Sequence, residues 1–163
     1  MRPAVLKVNR KIEYGLIALK HMQGKPKSHL STVREICERY GTPFDPLAHV
    51  LRVLNNKGVL QSEQGAHGGY RIAANLDELS FADLIEMIEG QLAFTDCIKL
   101  GECGCTMVER CNILSPMHLI HQRMLKFLRT ISIAELVQPD ANLARQLEAP
   151  ATPGEPNAAS VSI

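Results

Sequence analysis

Residues 32–72 read TVREICERYGTPFDPLAHVLRVLNNKGVLQSEQGAHGGYRI, and this stretch decides the fold. Its first part predicts a short helix over residues 32–40, because Thr32 and Glu35 have the spacing of a capping box. A tight turn containing Gly41 follows, and a second helix then runs to about Asn56. The apolar stripe of this second helix recurs at helical spacing and consists of Leu47, Val50, Leu51 and Leu54.

The start of the second helix has two readings. Thr42 can cap it with Pro43 in the first position, or Asp45 can cap it with Pro46 there. Gly58 ends it as the glycine just beyond the last turn. Residues 59–62 and 70–72 predict two short strands, and the glycine-rich segment 64–69 predicts the hairpin tip between them.

The flanking sequence predicts three more helices. One covers residues 9–22 and stops at the Gly24–Pro26 segment, and one runs from a Ser80 cap to Gly90. The third is long and begins with Ser115 as cap and Pro116 in the first position.

We therefore expect a mainly α fold, a winged helix-turn-helix with a two-stranded wing plus a long dimerisation helix. Residues 91–112 have no regular pattern, and the tail from Pro139 has the composition of a disordered segment. The expected division is a DNA-binding domain over 1–90, a cysteine-rich segment over 91–112, a dimerisation helix over 113–137 and a tail over 138–163.

Composition and charge narrow the function. The 163 residues are 45% apolar and 21% charged, the balance of a soluble globular protein. Residues 1–75 hold twelve Lys or Arg and five Asp or Glu, whereas the other 88 hold six and twelve. A basic half of this kind is typical of polyanion binding. No segment reaches the roughly 20 apolar residues of a membrane span, and no signal peptide is present, so we expect a cytoplasmic protein without a membrane partner.

The winged pattern predicts binding of double-stranded DNA. The buried stripe leaves the outer face of the second helix free to enter a major groove about 12 Å wide. The helix ends and the wing tip can contact phosphates or a minor groove. The candidate DNA-binding residues are Ser31, Thr32, Thr42, Phe44, Asp45, His49, Arg52, Gln64, His67, Gly68 and Arg71. The chain has no Walker, Gly-x-Ser-x-Gly or His-Glu-x-x-His motif, so we expect no enzyme.

Four cysteines cluster within fifteen residues, at Cys97, Cys103, Cys105 and Cys111. Their C-x5-C-x-C-x5-C spacing lacks the paired knuckles typical of zinc and the C-x-x-C of thioredoxin-like sites. Thiolates are the usual ligands of iron–sulfur clusters, so the segment predicts a metal or cluster site. Cys37 stands apart and is predicted to be a small buried apolar residue.

The chain resembles the Rrf-two family of bacterial winged-helix regulators, the group that contains the iron–sulfur cluster regulator and the nitric-oxide-sensitive repressor. The resemblance covers about residues 1–137 and rests on YGLIAL at 14–19, Gly65-x-x-Gly68-Gly69-Tyr70, the cysteine segment and ISIAELV at 131–137. It implies a transcriptional regulator, most often a repressor, that forms a homodimer through its long helix. The residues that match this dimerisation role are Met117, Ile120, Met124, Phe127 and Ile131.

The resemblance also implies an iron–sulfur cluster, 2Fe–2S or 4Fe–4S, held by three cysteines. The matching positions are Cys97, Cys111 and one of Cys103 or Cys105. A zinc or thiol switch on the same scaffold is the alternative. An electron-transfer or cluster-delivery protein is disfavoured, because such a protein has no use for a DNA-reading helix.

The fourth ligand is open. Some family members use a histidine three residues after the last cysteine, but Leu114 stands there in this chain. Others use an acidic residue from the partner subunit, and the matching residue is Glu13. The remaining cysteine of the segment and His118 are the alternatives. The wing also departs from the family, since many members carry Arg at the tip where this chain has Gln64.

Overall fold

The structure is a computed structural model that describes residues 8–65, 68–93 and 110–138. Its helices are α1 (Arg10–Gln23), α2 (Val33–Tyr40), α3 (Phe44–Asn56), α4 (Phe81–Glu89), α5 (Leu114–Thr130) and α6 (Ile133–Val137). Strands β1 (Leu60–Glu63) and β2 (Gly69–Ile72) form an antiparallel pair in which Leu60 faces Ile72 and Glu63 faces Gly69. The predicted mainly α winged helix-turn-helix is confirmed.

Local signals position the first half of the helix-turn-helix. The Glu35 backbone N–H donates to Thr32 Oγ1 at 3.1 Å, and the Thr32 N–H donates back to Glu35 Oε2 at 3.4 Å. This is the predicted capping box, and it satisfies two backbone donors at the start of α2. Gly41 ends α2 in a left-handed conformation with φ 65°, which favours glycine because it has no Cβ.

Helices α3 and α5 begin at other residues than the sequence predicts. Helix α3 begins at Phe44 with Pro43 in the cap position and no side-chain cap, so neither Thr42 nor Asp45 caps it. Helix α5 likewise begins at Leu114, before the expected Ser115 cap, and also lacks a side-chain cap. The physical reason is shared. A proline is the third residue of each helix, where its missing N–H has no intrahelical partner to lose.

The core lies where α3 packs between α1, α2, α4 and β1. The predicted inner stripe of α3 is confirmed, because Leu47, Val50, Leu51 and Leu54 are completely buried. Burying one such side chain stabilises the fold by about 1.5–3 kcal/mol. Helix α3 is therefore fixed in rotation about its own axis, and its opposite face is held toward solvent.

The range 113–137, expected to form one dimerisation helix, forms two: α5 ends at Thr130, and the short helix α6 returns the chain to the core. Ser132 forms an isolated β-bridge with Ser80, and the Ile133 N–H donates to the Leu79 carbonyl at 2.7 Å. We call this pair of connections the Ser80–Ser132 clamp. Ile133 and Val137 of α6 are buried, so the clamp fastens the end of the long helix to the start of α4.

The remaining segment predictions are outside the described residues or only touch them. Most of 91–112 and nearly all of 138–163 are not described, so the expected irregular segment and tail stay predictions. Over the three described ranges, no helix is long and apolar enough to cross a bilayer.

Candidate nucleic-acid interface

The outer face of α3 carries a compact set of exposed groups. Phe44 is 54% exposed, and Asp45, His49 and Arg52 are exposed beside it. Arg52 Nη2 lies 3.2 Å from His49 Nδ1. Because a guanidinium only donates, Nδ1 must accept, and the His49 proton then sits on Nε2. The face thus offers an apolar ring, a carboxylate acceptor and an imidazole donor, groups that can contact a thymine methyl, a cytosine amino group and a guanine acceptor.

Two of the predicted phosphate donors do not fit that role. The Ser31 side chain is completely buried, and its hydroxyl has no hydrogen-bond partner among the described residues. Thr42 is 9% exposed, and its hydroxyl donates to Cys37 Sγ at 3.6 Å. Burial and the bond to Cys37 disfavour the predicted phosphate contacts of these two hydroxyls. Thr32 is exposed, although its hydroxyl oxygen already accepts from the Glu35 N–H of the capping box.

The buried Ser31 instead anchors the wing. Its N–H donates to the Tyr70 carbonyl and the Tyr70 N–H donates to the Ser31 carbonyl, both at 2.9 Å. The approach is close, since a Cβ at Gly69 would lie 2.8 Å from the Ser31 oxygen. Strand β2 is therefore bonded to the segment that leads into α2, which positions the wing beside the helix-turn-helix.

The cation of the wing, Arg71 on β2, pairs with side chains of the neighbouring strand β1. Arg71 Nη1 lies 2.8 Å from Glu63 Oε1, and Arg71 Nη2 donates to Gln61 Oε1 at 3.1 Å. Gln64 is exposed at the hairpin and Gly68 is half-buried, whereas the predicted His67 lies outside the described residues. The structure brings Arg71 to the wing but pairs its charge with an acid of the neighbouring strand.

A buried histidine joins α1 to both ends of α2, which the sequence analysis missed. His21 Nε2 lies 3.2 Å from Glu35 Oε1, and His21 Nδ1 lies 3.2 Å from Tyr40 Oη. Lys25 Nζ donates to the same Glu35 oxygen at 2.7 Å. The two partners lie fourteen and nineteen residues from His21 along the chain, so no local spacing could signal this network.

These contacts shift two pKa values. Burial lowers the pKa of His21 below its usual 6.5, against the hydrogen bond and charge of Glu35, which raise it. Burial also raises the pKa of Glu35, but the hydrogen bond and charge of Lys25, followed by those of His21, outweigh it and hold that pKa at about 2. At neutral pH the histidine is therefore neutral and the carboxylate is charged.

The predicted cluster ligands are described only in part. Cys111 is half-buried and lies three residues before α5, and Glu13 is exposed in the first turn of α1. Cys97, Cys103 and Cys105 lie outside the described residues. In the part of the chain that the structure describes, no group of three or more His, Cys, Asp or Glu could hold a metal ion. The chemistry of the full donor set, four thiols and a carboxylate, fits an iron–sulfur cluster.

Cys37 does not share that chemistry. It is half-buried against the core and accepts the Thr42 hydroxyl hydrogen bond. It packs against the core as predicted, but it is half-buried rather than buried, and its sulfur accepts a hydrogen bond.

Large apolar side chains form an exposed line along helix α5. None of its side chains is buried. Ile120 and Phe127 are 48% and 58% exposed, and Ile113, the N-cap residue seven positions before Ile120, is 55% exposed. Residues seven apart lie on one line along a helix. Of the predicted dimerisation residues, Ile120 and Phe127 are exposed, and Met117, Met124 and Ile131 are half-buried. Met124 lines an apolar cleft of about 400 Å³ against α4 and the start of α1.

Comparisons with known proteins agree with this architecture. The model of the Rrf2 (Rrf-two) family, described as an iron-dependent transcriptional regulator, matches residues 8–139. The chain is 27% identical over 126 residues to protein aau3 of Rhizobium meliloti, covering 76% of this chain and 82% of that protein. It is 23% identical over 136 residues to the HTH-type transcriptional regulator NsrR of Shouchella clausii, covering 83% and 91%.

Two solved structures show the same fold. CymR, the global cysteine regulator of B. subtilis, has a TM-score of 0.58 and 20% identity and covers 82% of this chain and 97% of its own. T. potens IscR has a TM-score of 0.57 and 24% identity and covers 91% and 94%.

Proposed function

The chain belongs to the Rrf2 family of DNA-binding transcriptional regulators, not to a family of enzymes, and on that premise we propose that it is an operator-binding repressor. In this proposal the active species is a homodimer, and its affinity for DNA follows the state of an iron–sulfur cluster. The family description as iron-dependent supports the choice of signal.

The proposed DNA-binding surface is supported mainly by the two faces of α3, one buried and one exposed. Its inner side chains are completely buried, whereas Phe44, Asp45 and His49 are exposed at and near its N-terminal end. In helix-turn-helix proteins the N-terminal residues of the second helix contact base edges. In this proposal the wing, which is bonded to the segment before α2 through Ser31, contacts the DNA backbone beside the same groove.

The test of this surface begins with selection of genomic DNA fragments by the anaerobically purified protein. Affinity for a selected fragment is then measured by fluorescence anisotropy. His49→Ala should weaken binding by about 1–3 kcal/mol, which is roughly 5- to 150-fold, because a base contact is lost. Arg123→Ala, an exposed cation on α5, is the matched control and should bind like the wild type. Equal affinity of His49→Ala and wild type for every selected fragment would remove α3 as the reading helix.

The homodimer is supported by the apolar line of α5. Three large apolar side chains at seven-residue intervals, about half exposed, are typical of a helix seam that a second helix covers. Association would place two copies of α3 at a fixed separation, and successive turns of one DNA face lie about 34 Å apart. The dimer contact therefore sets whether both reading helices can bind at once.

The cluster is supported by the donor set. Cys97, Cys111 and one of Cys103 or Cys105 would hold it, with Glu13 as the candidate fourth ligand. Such a cluster supplies thiolate–iron bonds that depend on iron supply and redox state. Because Cys111 lies three residues before α5, a restraint on that cysteine acts directly on the first turn of the long helix.

The test of the cluster is anaerobic purification followed by a visible absorption spectrum and assays of iron and sulfide. A brown protein with similar amounts of iron and sulfide supports the proposal. Cys111→Ala should lose iron, whereas Cys37→Ala, the cysteine that bonds Thr42, should retain it. A protein that stays colourless after anaerobic reconstitution contradicts the cluster and favours a zinc or thiol switch on the same scaffold.

The fourth ligand has its own comparison. Glu13→Ala should leave folding and dimerisation intact but lower cluster retention. Glu38→Ala is the matched control, because it removes another exposed helical acid. Unchanged iron content in Glu13→Ala would exclude this residue and favour the remaining cysteine or His118.

A further inference from the structure

The hydrogen bonds around His21 fix where its protons lie. The imidazole is 1% exposed, and each ring nitrogen has one partner. A charged carboxylate only accepts, so the single proton of the neutral ring must sit on Nε2 and point to Glu35. Nδ1 is then an acceptor, and the Tyr40 hydroxyl must donate to it. The only hydrogen of that hydroxyl is directed into the protein.

The charged and titratable groups around His21 come from the loop after α1 and from α2. Glu35 favours the protonated ring, whereas Lys25 and Arg39 oppose it. His29 Nε2 lies 3.6 Å from the same Glu35 oxygen, and the Arg39 guanidinium lies 5.7 Å from the centre of the Tyr40 ring. A proton added to His21 would therefore sit beside a carboxylate that already holds its charge.

Tyr40 faces solvent at the DNA-binding end of the helix-turn-helix. It is 44% exposed, it is the last residue of α2, and it precedes Phe44, the first residue of α3, by four positions. Tyrosine hydroxyls commonly donate to DNA phosphates. With His21 neutral, however, Tyr40 cannot donate outward without leaving the buried Nδ1 atom unsatisfied. A phosphate oxygen only accepts, so the two demands on one hydrogen conflict.

Protonation of His21 removes the conflict. An imidazolium donates from both nitrogens, so Nδ1–H donates to Tyr40 Oη and Nε2–H still donates to Glu35. The Tyr40 hydrogen is then free to point outward. One proton from solvent binds Nδ1. The Tyr40 hydrogen stays on Oη, but its O–H bond rotates so that it donates to a phosphate oxygen in place of Nδ1.

We propose that Tyr40 binds a DNA phosphate through its hydroxyl and that this contact takes up one proton at His21. The inference rests on the proposed function, because DNA supplies the phosphate. It adds a proton-linked backbone contact on α2 to the base contacts of α3. Acidification would then strengthen DNA binding independently of the cysteine segment.

The experiment measures affinity for a random-sequence DNA duplex at constant low salt between about pH 7.5 and 5.5, the range in which histidines titrate. Where one proton is taken up, wild-type affinity should rise by as much as about tenfold for each pH unit. His21→Gln can keep both hydrogen bonds, since its amide donates to Glu35 and its carbonyl accepts from Tyr40, but it cannot titrate. It should lose this part of the pH dependence, and Tyr40→Phe should lose it as well.

The matched control is His29→Gln, which removes the other histidine beside Glu35 and should keep the wild-type pH dependence. Thermal melts verify that each variant is folded, and Tyr40→Phe keeps the test decisive if His21→Gln is unstable. The proposal is overturned if both variants at His21 and Tyr40 show the wild-type slope, or if His29→Gln alone flattens it. Absence of binding to any duplex at any pH overturns the proposed DNA-binding function as well.

Discussion

Replacing Gly69 with alanine should detach the wing from the helix-turn-helix. A Cβ at this position would lie 2.8 Å from the Ser31 carbonyl oxygen and 3.1 Å from the Ser31 carbonyl carbon. Both are backbone atoms, so the clash cannot be relieved by a side-chain rotation. Strand β2 must move away, and the two hydrogen bonds between Ser31 and Tyr70, each 2.9 Å long, must lengthen.

The magnitude follows from those two bonds. A backbone hydrogen bond contributes about 0.5–1.5 kcal/mol net, so Gly69→Ala should lower the free energy of unfolding by about 1–3 kcal/mol. With a urea m-value of about 2 kcal/mol/M, the unfolding midpoint should fall by about 1 M. A two-stranded hairpin has little stability of its own, so the wing depends on this attachment.

Urea unfolding followed by circular dichroism is the assay, and Gly24→Ala is the matched control. Gly24 has φ −76°, and the nearest atom to an added Cβ is 3.7 Å away. This variant should be neutral, or more stable by about 0.4–1 kcal/mol, because alanine restricts the unfolded chain. Equal midpoints for Gly69→Ala and wild type, with Gly24→Ala behaving as expected, would refute the close approach of wing and Ser31.

Three further predictions follow from contacts already described. The free energy of unfolding should fall as the pH drops below about 6.5, because the unfolded chain then binds a proton at His21 that the folded protein resists. It should fall again between about pH 4.5 and 2, as Glu35 is protonated. Glu35→Gln should abolish the lower step, measured by urea unfolding at each pH. Thr32→Ala should cost about 1 kcal/mol of unfolding free energy through loss of the capping box, measured in the same way. Phe127→Ser, on the exposed line of α5, should leave the thermal melt nearly unchanged but shift sedimentation from dimer toward monomer; an unchanged dimer would assign the interface elsewhere.

The sequence predicts those elements whose signals are local. The capping box at Thr32 and the Ser80 cap define two helix starts correctly, and the apolar stripe of α3 predicts which side chains are buried. A proline, by contrast, is tolerated at any of the first three helical positions. Pro46 and Pro116 therefore could not reveal that their helices begin two residues earlier.

What the sequence could not reveal depends on contacts between distant residues. Ser31 is a small polar residue just before α2, a type and position typical of an exposed helix cap. Its pairing with Tyr70, distant in the sequence, accompanies its burial. Helix α6 has five residues, too few for a periodic pattern, and it forms because the Ser80–Ser132 clamp holds it. The partners of His21 lie fourteen and nineteen residues away, so no local spacing marks them as a network.

The clamp makes α5 a lever with one end fixed. Its 17 residues span about 25 Å at 1.5 Å per residue, with the clamp at the C-terminal end and Cys111 just beyond the other. A rotation of about 5° around the clamp displaces the free end by about 2 Å over that length. A small displacement near Cys111 therefore becomes a rotation of only a few degrees at the clamp, and this change of angle is what the DNA-binding half experiences.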